Sequence, residues 1–99
     1  MGKRDLLKES EIGEALEELP GWSYEEGKLR REYRFADFVH AFGFMAAAAA
    51  VCERMNHHPE WSNVWNRVKV ELYTHDAGGV TGMDIELAAK MESLARKLL

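Results

Sequence analysis

The sequence predicts an α+β fold, an antiparallel sheet with its helices packed on one face. Three features carry that expectation. Helical patterns open the chain, fill its middle and close it, while the runs between them alternate with a two-residue period. Successive strand-like runs are joined by turn signals rather than helices, which favours antiparallel neighbours. Ninety-nine residues leave room for one core only. Residues 1–8 are charged and expected to be loosely held, which leaves a single domain over residues 9–99.

Ser10 can cap a first helix over residues 11–19, where Ile12, Leu16 and Leu19 share a face, and Pro20-Gly21 ends it. Trp22-Ser23-Tyr24 and residues 29–35 then form a hairpin across Glu25-Glu26-Gly27-Lys28. In its second strand Leu29, Arg31, Tyr33 and Phe35 alternate with Arg30, Glu32 and Arg34. The longest helix covers residues 36–55. Phe38, Phe42, Met45, Ala49 and Cys52 make one apolar stripe on it, and Ala46 to Ala50 make a second, smooth face. Such a helix is either buried in the core or, as favoured here, lies with its Phe face on the sheet and its Ala face on another subunit.

Residues 61–75 turn strand-like, with Val64, Val68, Val70 and Leu72 on one parity. Trp61, Trp65, Arg67, Lys69, Glu71, Tyr73 and His75 fall on the other. Asn66-Arg67 either turns, giving two short strands, or lets one strand run through with a bend. Asp76-Ala77-Gly78-Gly79 is a loop, and Thr81-Gly82-Met83-Asp84 has the spacing of a capping box. The last helix is expected over residues 82–98, with Leu87, Met91, Leu94 and Leu98 as its stripe.

At 46% hydrophobic and 30% charged, the composition is that of a soluble globular protein. The net charge of −4 and the scatter of basic residues argue against direct nucleic-acid binding. A single cysteine, Cys52, excludes an internal disulfide and fits a reducing compartment. The start of the chain is charged rather than apolar, and the apolar stretch 41–52 is too short to span a bilayer. No membrane association is expected, and the cytoplasm is the expected location.

The chemistry concentrates in Glu53-Arg54-Met55-Asn56-His57-His58-Pro59-Glu60-Trp61. Pro59 disfavours helical backbone at His58, so the long helix should stop near Asn56 and deliver two imidazoles to irregular chain. His75 lies beside Gly78-Gly79, at the end of the strand-like run. Imidazoles change charge near neutral pH and can give or accept a proton without much tuning. Glu53, Asp76 and Asp84 are candidate orienting partners. Glu53 stands one helical turn before His57 and could hold that ring, while Asp84 could equally serve only as a helix cap. Trp61 and Trp65 could wall a planar ligand, or belong to core or interface.

Taken together, Glu53-x-x-x-His57-His58-Pro59, Trp61, Asn63-Val64-Trp65-Asn66-Arg67-Val68, Thr74-His75 and Asp84-Ile85-x-Leu87-Ala88 resemble pterin-4a-carbinolamine dehydratase. Phe35-x-Asp37-Phe38-x-x-Ala41-Phe42-Gly43-Phe44-Met45 is similar to the segment preceding that motif in the family, so the likeness covers about residues 20–97. The resemblance implies a four-stranded antiparallel sheet with three helices on one face. It also implies homodimers or homotetramers, formed through the 36–55 helix and a sheet edge. Its reaction is dehydration of 4a-hydroxytetrahydropterin to quinonoid dihydropterin, with no cofactor and no metal. That step regenerates the pterin of aromatic amino-acid hydroxylases, which makes such a hydroxylase a candidate partner.

Carried over by position, His57, His58 and His75 match the family's active-site histidines, and Thr74 to Ala77 match the stretch that meets the pterin edge. Glu53, Pro59, Trp61, Asp76 and Asp84 complete the expected substrate site. Asn56 stands where some members have aspartate, and an amide lacks the charge that would favour a neighbouring imidazolium. Two rival functions remain. Three histidines and a carboxylate could bind Zn²⁺ or Fe²⁺, although adjacent side chains diverge. The family likeness also includes a dimerisation cofactor for a homeodomain transcription factor, which would use the Ala46–Ala50 face.

Overall fold

The computed structural model describes residues 2–99. Its elements run α1 (Glu9–Leu16), β1 (Ser23–Glu25), β2 (Lys28–Arg34), α2 (Phe38–Met55), β3 (Glu60–Val64), β4 (Arg67–Leu72) and α3 (Gly82–Leu98). The strands form one antiparallel sheet in the order β1-β2-β4-β3. Leu29, Tyr33, Val68, Val70 and Leu72 point to the face that the helices cover. They join Ile12 of α1, Phe44, Ala48 and Val51 of α2, and Leu87, Ala88, Met91 and Ala95 of α3 in one core. The α+β expectation holds, with four strands and three helices.

Two tight turns set the register. Glu25 pairs with Lys28, and the residues between them, Glu26 and Gly27, take φ of 53° and 79°, the left-handed turn that suits the twist of a hairpin. Val64 pairs with Arg67 across Trp65 and Asn66, with Trp65 at φ 51°. The run over residues 61–75 is therefore two strands rather than one bent strand. That turn also changes the expected parity. Trp61 pairs with Val70 on the covered face, whereas Val64 pairs with Arg67 and is 60% exposed.

Helix α1 starts at Glu9 rather than Glu11. The Glu11 carboxylate accepts the Lys8 N–H at 2.8 Å, so Glu11 reaches back to close the helix and Ser10 lies inside it. Helix α2 is capped by Asp37, whose carboxylate accepts the His40 N–H at 2.8 Å. It ends at Asn56, held at φ 52° and ψ 45°, a left-handed position that asparagine tolerates. The face of α2 on the sheet departs from the expected one at Phe38, Phe42 and Ala49, which lie outside, and matches it at Met45 and Cys52. Ala41, Phe44, Ala48, Val51 and Cys52 are buried, while Phe38, Val39 and Phe42 are 49%, 75% and 56% exposed. Ala41 and Ala48 let α2 lie close to the core beside Phe44, and Phe38 and Phe42 are left outside. At 18 residues and mean hydropathy 1.2, α2 exceeds the stretch 41–52 and is long and apolar enough to cross a membrane by those measures alone.

Residues 2–8, expected to be loosely held, make specific contacts. The Leu7 N–H donates to the Val80 carbonyl at 3.0 Å, the Met83 N–H donates to the Lys3 carbonyl at 3.1 Å, and Leu6 bridges Thr81. A buried carboxylate ties the other end of the domain. Glu92 of α3 accepts from Trp22 Nε1 at 3.1 Å and from the Tyr33 hydroxyl at 2.7 Å. Burial and that neighbouring carboxylate hold the Tyr33 phenol far above its ordinary range, so it stays a donor.

Cys52 is 2% exposed, and burial pushes its thiol up to about 11. The thiolate is the reactive form, so the native protein is expected to react with a disulfide reagent at neutral pH only as fast as it unfolds. Comparing labelling rates with and without urea checks this; rapid labelling of folded protein would contradict it.

Candidate functional site

Pro59, the left-handed Asn56 and the turn at residues 74–79 bring the three histidines to one cleft. After α2 ends, the His57 N–H donates to the Cys52 carbonyl at 3.0 Å, which folds the chain back across the end of the helix. On the facing side, Thr74 closes a turn. Its N–H donates to the Gly79 carbonyl at 2.8 Å and its carbonyl accepts from Gly78 at 2.9 Å, with Gly78 at φ 79°. His75 projects from that turn. The cleft measures about 290 Å³ and is lined by His57, His58, Pro59, Thr74, His75 and Asp76, together with Arg4, Asn56, Glu60 and Tyr73.

Each imidazole has a different partner. His57 is buried, and its Nε2 lies 2.5 Å from Oδ1 of Asp84. Asp84 itself is fully buried at the first turn of α3. Its other oxygen, Oδ2, accepts from the Thr81 N–H at 2.9 Å and from the Thr74 hydroxyl at 2.8 Å. Thr74 and Thr81 hydroxyls lie 2.7 Å apart. Since Thr74 donates to Asp84, Thr81 supplies the proton between the two hydroxyls. One carboxylate thus closes the capping box and holds a ring at the same time. As acceptor for all three donors, it places the His57 proton on Nε2 and leaves Nδ1 as the free nitrogen.

His58 is more than half exposed, and its Nε2 lies 2.6 Å from Oε1 of Glu53. Glu53 therefore holds His58 rather than His57. The helical spacing that suggested His57 fails because the helix stops at Met55, before the ring is reached. His75 is exposed, with Nδ1 2.9 Å from the Tyr73 hydroxyl. Among the described residues no group of three or more His, Cys, Asp or Glu side chains is placed to hold a metal ion.

Of the other expected site residues, Pro59, Thr74 and Asp76 line the cleft, while Glu53 and Asp84 stand behind the imidazoles they hold. Ala77 shapes the turn by donating its N–H to the Thr74 carbonyl at 3.1 Å. Trp61 departs from expectation. It packs against the core and borders a cavity of about 610 Å³ at the sheet rather than the histidine cleft. Trp65 sits on the β3–β4 turn, 65% exposed. The larger cavity carries no imidazole, and Arg30 at its wall is paired with Glu71 at 2.7 Å. Glu60 reaches the cleft from the stretch that carries the histidine pair, whereas Arg4 and Tyr73 lie outside the expected set. Tyr73 stands two residues before His75 and could have been found from that spacing, whereas nothing local in the sequence marks Arg4.

Comparison with known proteins points the same way. A family profile described as Pterin 4 alpha carbinolamine dehydratase matches residues 5–94. The chain is 61% identical over 89 residues to a protein of Solibacter usitatus named for pterin-4-alpha-carbinolamine dehydratase, covering 90% of this chain and 94% of that one. A Brucella ovis protein of the same name is 50% identical over 94 residues, covering 93% and 97%. The crystal structure of a transcriptional coactivator/pterin dehydratase from Brucella melitensis superposes with a TM-score of 0.90 at 48% identity, covering 92% of this chain and 99% of that one. A pterin dehydratase-like RuBisCO assembly factor of the alpha-carboxysome shares the fold alone, with a TM-score of 0.63 at 20% identity over 75% of this chain and 86% of that one.

Proposed function

Because this chain belongs to the pterin 4 alpha carbinolamine dehydratase family, a family of hydro-lyases, we propose that it dehydrates 4a-hydroxytetrahydropterin to quinonoid dihydropterin by proton transfer through its imidazoles. The observation that supports this most is the convergence of His57, His58 and His75, each with its own partner, on one cleft. In the reaction the C4a–O bond breaks and the oxygen takes a proton to leave as water. The adjacent ring nitrogen loses its proton, and its electrons form the new C=N bond. Acid and base must both work near neutral pH, which suits imidazole. His57 and His75 share those two roles, and His58 positions the pterin.

The hydroxyl can leave from either face of the ring, so the roles of His57 and His75 exchange with substrate stereochemistry. Asp76 and the backbone of residues 74–77 border the cleft where the pterin edge would lie. The step would serve pterin recycling for an aromatic amino-acid hydroxylase, in the cytoplasm, where the lone thiol of Cys52 stays reduced. The test is the decay of freshly generated 4a-hydroxypterin with and without the protein. Equal decay in both would refute the reading.

The exposed side of α2 supports self-association. Phe38, Val39 and Phe42 are solvent-facing, with Ala46, Ala49 and Ala50 beyond them. Such a surface suits a homodimer or homotetramer better than bulk water. Phe42→Glu is expected to shift the protein to monomer in sedimentation velocity while its circular dichroism stays unchanged; an unaltered sedimentation coefficient would count against α2 as the interface. The same face would serve a coactivator-type role, in which bulky substitutions at Ala47 or Ala50 abolish function and the histidines are dispensable.

A further inference from the structure

The dehydration reading gives His75 a proton-transfer role but does not say what fixes its ring. Resting on that reading, we propose that Tyr73 is a positioning residue whose hydroxyl occupies Nδ1 of His75 and so makes Nε2 the nitrogen that meets the substrate. Three observations carry this. The Tyr73 hydroxyl lies 2.9 Å from His75 Nδ1, and the two ring centroids are 4.1 Å apart, tilted by 41°. Both residues line the histidine cleft. The Lys28 ammonium sits 4.8 Å from the Tyr73 ring centroid and is itself tied to Glu60 at 3.1 Å, so the phenol is braced from the neighbouring strands.

The chemistry of a phenol suits the task. A hydroxyl is both donor and acceptor, and its hydrogen rotates to suit its partner. In the two states that a transfer at Nε2 connects, the imidazolium and the neutral ring with Nε2 bare, Nδ1 keeps its hydrogen and Tyr73 accepts from it. In the other neutral tautomer, with the proton on Nε2, Tyr73 donates to Nδ1. The contact therefore survives each proton transfer at Nε2, and the ring need not turn between steps. A carboxylate, which only accepts, fixes one tautomer, as Asp84 does for His57. The two imidazoles are thus held by opposite nitrogens, His57 through Nε2 and His75 through Nδ1. Since His75 is exposed, packing alone does not orient it, and the tyrosine supplies what burial supplies to His57.

The test is Tyr73→Phe, which keeps the ring stack and removes only the hydroxyl, with Tyr73→Leu removing both. Tyr73→Phe is expected to lower kcat about two- to tenfold, the scale of one hydrogen bond, with KM little changed. The flank of the pH profile that His75 governs should move as well. Added to His75→Ala, Tyr73→Phe should have no further effect. Long-range proton–nitrogen NMR of the free protein should show the His75 Nδ1 resonance moving in Tyr73→Phe. That measurement needs no turnover, so it stands apart from the dehydratase reading: a moved resonance in a protein without dehydratase activity would refute the reaction and keep the contact. Wild-type kcat, pH profile and Nδ1 resonance in Tyr73→Phe would overturn the proposal, whatever Tyr73→Leu does. An equal loss from Tyr73→Phe with and without His75 would overturn it too.

Discussion

Alanine at His75 is expected to slow dehydration of 4a-hydroxypterin by about 10²–10⁴-fold, the usual worth of a general acid or base. The fold should be untouched. His75 is exposed, and its one side-chain partner, Tyr73, is half-buried and can turn to water. Alanine at His57 is expected to cost a similar factor in rate and some stability besides. Its ring is 6% exposed, and removing it takes one of three donors from the buried Asp84. Stopped-flow rates on both variants, with thermal melts beside them, separate the two effects. Near-wild-type rates in both would end the acid–base assignment. His58→Ala should act differently: an exposed ring paired to an exposed carboxylate adds little to stability, so its effect should appear in KM.

These expectations rest on some residues that the sequence exposes and others that it hides. Pro59 and the histidine pair marked the site because proline limits the backbone wherever it occurs. The spacing Thr81-x-x-Asp84 marked the cap for the same local reason. That Asp84 also holds His57 was open as an alternative, because a carboxylate has two oxygens and a cap engages only one of them. Helical spacing points Glu53 at His57, but that spacing applies only inside a helix, and Asn56 ends α2 before His57 is reached. On α2 both faces are apolar, so periodicity does not choose between them; the sheet takes Ala41, Phe44, Ala48, Val51 and Cys52, while Ala46, Ala49 and Ala50 stay outside with Phe38 and Phe42. Trp61 changed faces because a turn at Trp65-Asn66 resets the alternation. Arg4 reaches the cleft through pairings such as Leu6 with Thr81, and contacts between distant segments leave no periodic trace.

Asp84→Ala should be the most damaging single change to the fold. It leaves the Thr74 hydroxyl, the Thr81 N–H and the His57 N–H, all on buried residues, without their acceptor. Leaving buried donors unpaired costs about 1–3 kcal/mol each, and three of them amount to a large part of the roughly 5–15 kcal/mol that holds a domain together. The urea midpoint should fall accordingly, whereas Glu53→Ala, which breaks an exposed pair, should cost no more than about 1 kcal/mol of unfolding free energy. Asp84→Asn separates the two duties of the carboxylate. An amide has one accepting oxygen, so its NH₂ must face one of the former donors. If that group faces His57, the ring proton moves to Nδ1 and the nitrogen left free changes character from acceptor to donor. The variant should then fold better than Asp84→Ala yet dehydrate as poorly as His57→Ala. Full activity in Asp84→Asn would mean that the tautomer of His57 does not matter to the chemistry, and an unmoved urea midpoint in Asp84→Ala would mean that the carboxylate does not hold the site together.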